Sequence, residues 1–377
     1  MNKRRKSIAI ALSCAMLAGT ALTTAAIPGS NTPFSITVNA ADIVDSGSCG
    51  ENLTYTIDNE GTLTISGTGE MYNYGYGESP FNTEIETVII EDGVTTIGDC
   101  AFGGCEVLTN INIPDSVTSI GDYAFEECSS LSTITIPDSV TSIGGGAFAG
   151  TLWYENQPDG LVYAGKVAYK YNGEMPENTL ITLEEGTTGI ADNAFWACTS
   201  LTSINIPDSV TSIGKNAFAT CSSLTDITIP GSVTSIGESA FFDCTSLTDI
   251  TIPDSVTSIG GLAFADCTSL TSINIPDSVT SIGLYAFYNC TSLTSITIPD
   301  SVTGIEDRAL GYNWDSDSWE DVKQPGFTIY GYTGSEAERY ANDNGFEFIS
   351  LGEVPVPVVK TGDVTAEACP LRFLNSP

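Results

Sequence analysis

Apolar residues recur along this chain with a period of 23 residues. Each copy follows the pattern A-F-x-x-C-x-x-L-x-x-I-x-I-P-x-x-V-x-x-I, and most of the other positions are polar or small. One copy is too short to enclose its own apolar side chains, so neighbouring copies must stack and share a core. Seven copies keep the register, beginning at Ala101, Ala124, Ala194, Ala217, Ala240, Ala263 and Ala286.

Three short elements are predicted within each copy. The segment L-x-x-I-x-I is β-branched and ends in alternating positions, which favours a strand, and the Pro that follows cannot donate to a ladder. The segment V-x-x-I-G predicts a second extended piece, and A-F-x-x-C predicts a single helical or 3₁₀ turn. Stacked in register, these elements predict a β-rich repeat solenoid with short parallel strands and a cap at each end.

The string L-x-x-I-x-I-P-x-x-V-x-x-I-G-x-x-A-F-x-x-C over residues 85–310 resembles the leucine-rich repeat family. The similarity is to its treponemal 23-residue form, as found in the Bacteroides surface protein A-like proteins. The resemblance implies a curved, right-handed coil, a secreted or surface location in bacteria, and a binding role. It does not imply any particular ligand.

The repeat is interrupted after Ala147 by an insert at residues 152–179. Leu161–Tyr163 and Val167–Tyr169 flank a short turn and predict a hairpin that projects from one edge of the coil. Insertions in repeats often mark the binding side, so the aromatic residues here are candidate ligand contacts. Packing of the insert against the coil explains them equally well. The candidates are Trp153, Tyr154, Tyr163, Tyr169 and Tyr171, with Trp196 nearby in sequence.

The segments outside the repeat predict a leader, two caps and a tail. Residues 1–40 have a basic start, an apolar run and small residues at the end, the pattern of a secretory signal peptide cleaved near Ala40. A membrane anchor is the lesser alternative, and no membrane insertion is expected after cleavage. Residues 41–84 predict a hairpin that forms an N-terminal β cap, residues 311–351 predict a C-terminal cap, and residues 352–377 predict a linker and unstructured tail.

The C-terminal segments have local signals of their own. Ser335 and Glu338 have the spacing of a capping box, Gly345 predicts the end of a short helix, and 346–349 predict a returning strand. In the tail, 362–364 (Gly-Asp-Val) resemble the first letters of a dockerin, the calcium-binding plug of cellulosome enzymes. The residues that follow lack the Asp, Asn and Gly of a calcium loop.

Charge and composition narrow the function. The chain has 12 Lys and Arg against 47 Asp and Glu, a net charge of −35, which disfavours nucleic acids and anionic membranes as partners. It contains no histidine, which excludes histidine-dependent triads and histidine-ligated zinc. Carboxylate chemistry of the glycosidase kind remains, but the acidic residues repeat with the scaffold instead of converging on one cleft. We therefore expect no enzymatic activity, no metal and no cofactor.

One cysteine recurs in the same apolar position of each copy. Stacked strands would place these cysteines within disulfide range, but a run of five, one per consecutive copy, cannot pair off completely. Buried free thiols that act as small apolar residues are the preferred interpretation, and disulfides between neighbouring copies are the alternative.

An Asp follows the Pro in six copies, from Asp115 to Asp300, and predicts an acidic column. The sequence Pro-Asp-Ser is typical of a turn in which Asp accepts hydrogen bonds from nearby backbone N–H groups. Calcium bridging along the column is the alternative. Gly231 fills the same position in another copy, so a carboxylate is not required there, which favours the turn.

Strand residues that point away from the core are the main candidate binding surface, on the concave face of a curved coil. They are small and polar, so they offer hydrogen bonds but few large anchors. Duplication of one β-forming segment explains the same uniformity without a ligand. The candidates are Ser203, Asn205, Asp226, Thr228, Asp249, Thr251, Ser272, Asn274, Ser295 and Thr297, with Asn110, Asn112, Thr133 and Thr135 in earlier copies. Trp314 and Trp319, among acidic residues, are expected to belong to the C-terminal cap.

Together these features predict a secreted bacterial leucine-rich-repeat binding protein, a monomer that mediates protein–protein interaction or adhesion to host, matrix or neighbouring-cell surfaces. The expected partner is an extracellular protein or glycan. A carbohydrate-binding or cellulosome-associated accessory module without catalysis is the alternative, because of the aromatic residues and the dockerin-like tail. No sortase-type motif is visible, so release into the medium is expected over covalent attachment to the cell surface.

Overall fold

The structure is a computed structural model that describes residues 42–81 and 84–353. These residues form a β-solenoid of stacked turns with mostly parallel strands, which confirms the predicted fold class. The predicted signal peptide and the dockerin-like tail lie outside the described residues. Within those residues, no helix is long and apolar enough to cross a bilayer.

The strands are, in chain order, β1 (Ile43–Gly50), β2 (Leu53–Asp58), β3 (Thr62–Gly67), β4 (Gly69–Glu70), β5 (Thr87–Ile90), β6 (Val94–Ile97), β7 (Asn110–Asn112), β8 (Ser119–Ile120), β9 (Ser142–Ile143), β10 (Gly160–Ala164), β11 (Val167–Asn172), β12 (Thr179–Thr182), β13 (Gly189–Ile190), β14 (Leu201–Asn205), β15 (Ser212–Ile213), β16 (Asp226–Ile227), β17 (Ser235–Ile236), β18 (Asp249–Thr251), β19 (Ser258–Ile259), β20 (Ser272–Asn274), β21 (Ser281–Ile282), β22 (Ser295–Thr297), β23 (Gly304–Ile305), β24 (Tyr312–Asp315), β25 (Glu320–Lys323), β26 (Thr328–Thr333) and β27 (Glu347–Glu353). The helices are α1 (Leu152–Glu155) and α2 (Glu336–Asn344).

Two parallel ladders run along the solenoid, as the period predicts. The L-x-x-I-x-I segments form the first ladder, in which each residue pairs with the one a period later, as Ile204 does with Ile227. The first ladder is divided among several sheets, including β12-β14-β16, β18-β20 and β22-β26-β27. The V-x-x-I-G segments form the second ladder, which is more continuous and joins six parallel strands from β13 to β23. The insert strands extend this sheet, β11 in parallel with β13 and β10 antiparallel to β11.

The A-F-x-x-C segment is a non-helical turn, so the predicted helical or 3₁₀ turn is wrong. Two residues of the turn have positive φ in each copy, such as Ser239 at 55° and Asp243 at 57°. A helix does not form because the backbone N–H groups bond to the next copy. The N–H of Phe241 donates to the carbonyl of Ala263, and that of Asp243 to the carbonyl of Ala265, both at 2.8 Å. The segment therefore forms a third side of the coil that is bonded between copies.

The Phe of each A-F pair forms a stacked column through the core. From Phe195 to Phe287, consecutive ring centroids lie 5.3 to 5.4 Å apart with nearly parallel planes. Another column, the first along the chain, runs from Phe81 to Phe148 with centroid distances of 5.3 to 5.6 Å. The rings of the repeats are fully buried. The column is interrupted between Phe148 and Phe195, where the insert lies.

The insert joins the solenoid instead of projecting from it, which corrects the sequence prediction. β10 and β11 form the predicted antiparallel hairpin, but β11 also pairs in parallel with β13, with Val167 opposite Gly189. The reason is apolar burial, because Val167, Ala168 and Tyr169 all lie in the core. Tyr169 packs edge-on against Phe148 at a centroid distance of 5.2 Å and ends the first aromatic column.

Antiparallel strands begin the coil, and parallel strands end it. β1, β2 and β3 form a meander that includes the predicted hairpin around Gly61, and β3 then pairs in parallel with β5 to start the first ladder. At the other end, β26 and β27 continue that ladder beyond β22, and α2 contacts both strands. The proposed limits of caps, solenoid and tail stay predictions.

The short helix α2 ends as predicted but begins differently. Gly345 terminates it in the left-handed conformation at φ 65°. Ser335 occupies the N-cap position, but its side chain makes no capping bond. Glu338 instead accepts a hydrogen bond from the N–H of Gly334 at 2.6 Å, because the N–H of Ser335 already donates to the carbonyl of Tyr332. The predicted capping box is therefore not formed.

Candidate binding surfaces

The outward-facing side chains of the first ladder form a polar strip, which we call the strand face. Pairing is in register, since Ser203 lies beside Asp226, and Thr251 lies beside Asn274. Side chains alternate between core and solvent along a strand, so the neighbouring Ile residues are directed inward. The sequence-predicted residues here are half-buried Ser203 and exposed Asn205, Asp226, Thr228, Asp249, Thr251, Ser272, Asn274, Ser295 and Thr297, and Asn110, Asn112, Thr133 and Thr135 are also exposed.

Polar side chains of the strand face are largely left free for a ligand. Of the ten predicted from Ser203 to Thr297, Asn205 alone in the described part of the chain bonds another side chain, donating to Thr182 Oγ1 at 3.2 Å. A shallow, open depression between β18 and β20 is lined by Asp249 and Asn274, among others. It does not enclose a small molecule, so the surface is suited to a flat or extended partner.

Tyr169 and Trp153 of the insert act within the fold. Tyr169 is buried, and its hydroxyl accepts a hydrogen bond from the N–H of Phe148 at 3.1 Å. Trp153 packs edge-on against the Phe148 ring at a centroid distance of 4.9 Å. These two side chains cover the end of the first aromatic column, so Tyr169 does not reach a ligand without rearrangement of the core.

Tyr154 and Tyr163 are half-buried and fix the insert to its surroundings. The Tyr154 hydroxyl donates to Asn172 Oδ1 at 2.5 Å, which ties the short helix α1 to the end of β11. The Tyr163 hydroxyl accepts from the N–H of Glu184 at 2.9 Å, which ties β10 to the chain after β12. Of the five predicted aromatic residues, Tyr171 borders a groove at the surface.

Tyr171 and Trp196 line this groove, which lies between the insert and the next repeat together with Met175 and Ser200. Trp196 is 59% exposed. Ser200 directly precedes β14, so the groove adjoins the strand face. The sequence drew attention to Trp196 only as a neighbour of the insert; the stronger signal is that the other repeats have Gly, Ala, Glu, Phe or Tyr at its position.

A second apolar side chain that sequence reasoning missed is Leu180, on β12. It is 61% exposed and pairs with Ser203 at the start of the strand face. A Leu at a strand position that is Ser or Asp in later copies is visible in the sequence, but its exposure depends on the strand that ends the insert.

Five of the six Asp residues of the acidic column are exposed and Asp300 is half-buried, and a serine hydroxyl holds the turn that contains each of them. Ser255 Oγ donates to the carbonyl of Val233 at 2.5 Å, and the equivalent serines of other copies do the same. Asp254 beside it is exposed, and the sequence expectation that Asp bonds backbone N–H groups is wrong here. The shorter serine side chain makes the bond within the turn, while the Asp carboxylate stays hydrated. In the described residues, no cluster of three or more carboxylates or thiols is arranged to hold a metal.

The nine cysteines within the described residues form no disulfide. Cys244 Sγ donates to the carbonyl of Phe218, and Cys267 Sγ to that of Phe241, each at 3.2 Å and each in the preceding copy. Burial raises the pKa of Cys267 to about 12, so this thiol stays protonated at neutral pH. The cysteine of each such copy therefore contributes apolar packing and a hydrogen bond to the preceding copy.

A hairpin between the last repeat and α2 carries two exposed tryptophans. β24 and β25 pair in antiparallel register, with Trp314 opposite Asp321. Trp314 is 46% exposed and Trp319 is 77% exposed, and their rings lie 6.2 Å apart at an angle of 89°. These side chains are directed to solvent instead of covering the core of the cap.

The repeat geometry and a family comparison agree. A model of the BspA type leucine rich repeat region matches residues 78–172 and 176–315, in six copies. The chain belongs to the BspA-type leucine-rich repeat family. In this BspA-type chain, the matched ranges contain the strand face, Trp196 and nearly all of the insert, whereas Gly173, Glu174 and Met175 of the groove lie between the two ranges. Membership confirms the resemblance read from the repeat string.

Several solved structures are similar to this BspA-type chain. A leucine-rich repeat protein from Eubacterium ventriosum is 24% identical, over 70% of this chain and 94% of that one, with a TM-score of 0.35. One from Bacteroides ovatus is 25% identical, over 80% and 78%, with a TM-score of 0.38. A leucine rich cell surface protein from Faecalibacterium prausnitzii is 23% identical, over 82% and 95%, with a TM-score of 0.28. No curated protein matches the chain.

Proposed function

We propose that this chain is a secreted, non-catalytic binding protein that holds a protein ligand outside the bacterial cell, for adhesion to host, matrix or neighbouring-cell surfaces. Its repeat family supports the coarser part, a role in protein–protein interaction. The observation that carries the proposal is that the groove at Trp196 adjoins the strand face, because its lining residue Ser200 directly precedes β14.

The two surfaces complement each other chemically. Protein interfaces gain most of their affinity from a few large side chains, with Trp prominent among them, surrounded by polar contacts that exclude water. Trp196 and Leu180 supply exposed apolar area at one end of the strand face. From β14 to β22 the hydroxyl, amide and carboxylate groups extend over roughly 20 Å at the usual spacing of strands. This arrangement suits a protein surface or an extended segment.

Binding explains the acidic residues better than catalysis does. The carboxylates recur with the scaffold, and those of the strand face, Asp226 and Asp249, are exposed. A general acid of the glycosidase kind needs a sheltered carboxylate opposite a second one in a cleft. The described residues show a shallow, open surface at this place instead.

The test is binding of the purified chain to immobilised matrix proteins and, in parallel, to plant and mucin polysaccharides. We expect saturable binding to a protein, weakened at least tenfold by Trp196→Ala because the anchor is lost. Thr228→Arg is expected to weaken it as well, since a large side chain in the centre of the strand face obstructs contact. Tyr76→Ala is the matched control, because Tyr76 is 80% exposed in the N-terminal segment, far along the chain from both surfaces.

Two results would contradict the proposal. Protein binding that neither Trp196→Ala nor Thr228→Arg alters would place the ligand elsewhere. Saturable binding to a polysaccharide, lost in Trp196→Ala and absent for every protein, would support the carbohydrate-binding accessory module instead.

A further inference from the structure

The loop of the β24-β25 hairpin is built to hold Trp319 away from the solenoid. Asp315 Oδ1 accepts the N–H of Asp317 at 3.0 Å, and its Oδ2 accepts the hydroxyl of Ser318 at 2.7 Å. The N–H of Trp319 donates to the Asp315 carbonyl at 2.9 Å. Trp319 itself has φ 58°, a conformation that Gly or Asn adopts at lower cost than an aromatic residue. Nothing in the packing of the core requires a Trp here.

The base of the hairpin is fixed to the last repeat by its own charges. Asp321 accepts the Tyr288 hydroxyl at 2.5 Å and forms an ion pair with Arg308 Nε at 2.9 Å. Lys323 lies over the ring of Phe346 at 5.8 Å. The basic side chains closest in sequence to the hairpin tip are therefore engaged at its base.

The tip, in contrast, has acidic and aromatic groups but no base. Between residues 309 and 322 the sequence contains no Lys or Arg, while Asp317 and Glu320 are exposed beside the two tryptophans. The hydrogen bonds of Asp315 hold its pKa below the usual value, so it remains ionised at neutral pH. Negative charge at the tip adds to the field of a chain with net charge −35.

We propose that the angle between Trp314 and Trp319 binds an organic cation, the ammonium or guanidinium group of a Lys or Arg side chain on a basic segment of a partner protein. An aromatic face attracts a cation within about 6 Å of its centroid, and Trp does so most strongly. The rings meet edge to face at 89°, so a cation in the corner between them contacts both indoles. Asp317 and Glu320 supply the opposite charge around it.

This inference goes beyond the strand-face ligand, because it concerns a separate surface with its own chemistry. A neutral sugar stacks best on a flat aromatic platform, which perpendicular rings do not provide. The surplus of carboxylates likewise favours a positively charged group, since a neutral sugar gains nothing from net charge. A basic protein segment is therefore the occupant that the charge of the tip selects.

The experiment uses the full chain and three probes: a fluorescent tetralysine peptide with blocked termini, the same peptide with its ammonium groups acetylated, and cellotetraose. We expect the lysine peptide to bind and Trp319→Ala to weaken it about tenfold, without changing the net charge. Trp319→Phe is expected to retain part of the affinity, because a smaller aromatic face remains. Thermal denaturation of each variant confirms that the solenoid is intact.

Matched charge variants distinguish binding at the hairpin tip from non-specific electrostatic adsorption to the acidic chain. The double variant Asp317→Asn/Glu320→Gln is expected to weaken the lysine peptide, whereas Asp254→Asn/Asp277→Asn, which removes two exposed charges of the acidic column, is expected to leave it nearly unchanged. Equal binding to wild type and Trp319→Ala would overturn the proposal, as would equal binding of the acetylated peptide. Trp319-dependent binding of cellotetraose alone would assign the tip to sugars. The two proposals are tested with different probes and different variants, Trp319→Ala here and Trp196→Ala for the strand face, so failure here and failure of the strand-face proposal are distinguishable.

Discussion

Gly189 and Gly304 occupy the same position of the repeat, which holds Ser in most other copies, yet their surroundings differ. A Cβ atom at Gly189 would lie 2.0 Å from the carbonyl oxygen of Thr141, because the repeat before the insert, at the start of β9, lies against β13. At Gly304, where an uninterrupted ladder ends, nothing lies within 4 Å. One glycine is therefore required by a close approach, and the other is not.

Restoring the repeat residue at each position tests this difference. Gly189→Ser is expected to lower the free energy of unfolding by about 2 to 3 kcal/mol, because the backbone of two turns must separate. Gly304→Ser, the matched control, is expected to change it by less than about 0.5 kcal/mol. Urea denaturation followed by circular dichroism measures both. Equal losses at the two positions would show that the approach of Thr141 to β13 is not rigid.

Asp192 is a partly buried carboxyl group whose ionised form lowers the stability of the fold. Its Oδ1 accepts the N–H of Lys215 at 2.6 Å, in the role that Asn73 performs for the N–H of Asp99. Desolvation raises the pKa of Asp192 to about 6, opposed by the backbone bond, with a smaller contribution from Asp122. Since the folded-state pKa is above the unfolded value, ionisation of Asp192 disfavours folding: the cost grows as pH rises from about 4 to about 6 and is fully present above about pH 6.

Asp192→Asn is therefore expected to stabilise the chain at pH 7.5 by about 1 to 2 kcal/mol, after allowance for partial solvent exposure. The amide keeps the acceptor for Lys215 and removes the charge. The gain is expected to shrink as pH falls through 6 and to vanish below about pH 4, where the wild-type carboxyl is protonated in both states. Urea denaturation at several pH values measures it, with exposed Asp208→Asn as the control. A gain independent of pH would contradict the assignment.

The aromatic column is the element on which the stacking of turns depends. Phe241 contacts a parallel ring on each side, at 5.3 and 5.4 Å, whereas the adjacent Phe242 is half-buried at the outer edge. Phe241→Ala is expected to cost about 3 to 5 kcal/mol, because a buried cavity replaces the ring between its neighbours. Phe242→Ala is expected to cost about 1 kcal/mol.

Hydrogen exchange is the measurement that distinguishes a local from a global effect. In a solenoid each turn contacts only its neighbours, so the backbone around β16 to β20 is expected to exchange faster in Phe241→Ala than the strands before the insert. Uniform acceleration from β3 to β27 would show that the solenoid unfolds as one unit.

The sequence predicts the elements that depend on residues within one copy better than those that depend on contacts with the next copy. The two strands of each copy follow from apolar spacing and β-branched residues, and both ladders are where the period places them. The turn does not follow, because positions such as Leu262 and Thr220 adopt positive φ without the Gly or Asn that normally indicates it. Their conformation is imposed by hydrogen bonds to the next copy, which no single copy contains.

The candidate sites show the same division. Alternation along a strand predicts which side chains of the strand face are exposed. It does not predict that Tyr169 ends an aromatic column, because that depends on where β11 pairs. The groove at Trp196 requires two segments, the insert and the next repeat, to be placed side by side, and the perpendicular rings of Trp314 and Trp319 depend on the loop that joins β24 to β25.

At the scale of the whole molecule, the surfaces available to a ligand are distributed along one axis. The groove at Trp196 lies after the insert, the strand face follows over the later copies, and the hairpin with Trp319 lies beyond the last repeat. Between them, the exposed carboxylates are expected to repel nucleic acid and to attract basic partners over a distance set by the ionic strength. Specific contact is then left to the few large exposed side chains.

The spacing of the bonds between turns bears on how the number of copies changes in evolution. Most of these bonds join residues 22 to 26 positions apart, as Ser255 to Val233 and Cys244 to Phe218 do. Each such bond therefore links one copy to the copy next to it. Because the copies are nearly identical, recombination between two of them adds or deletes a complete turn without altering any type of contact. The strand face is thereby lengthened or shortened by about 5 Å per event, so the number of copies sets the length of this candidate surface.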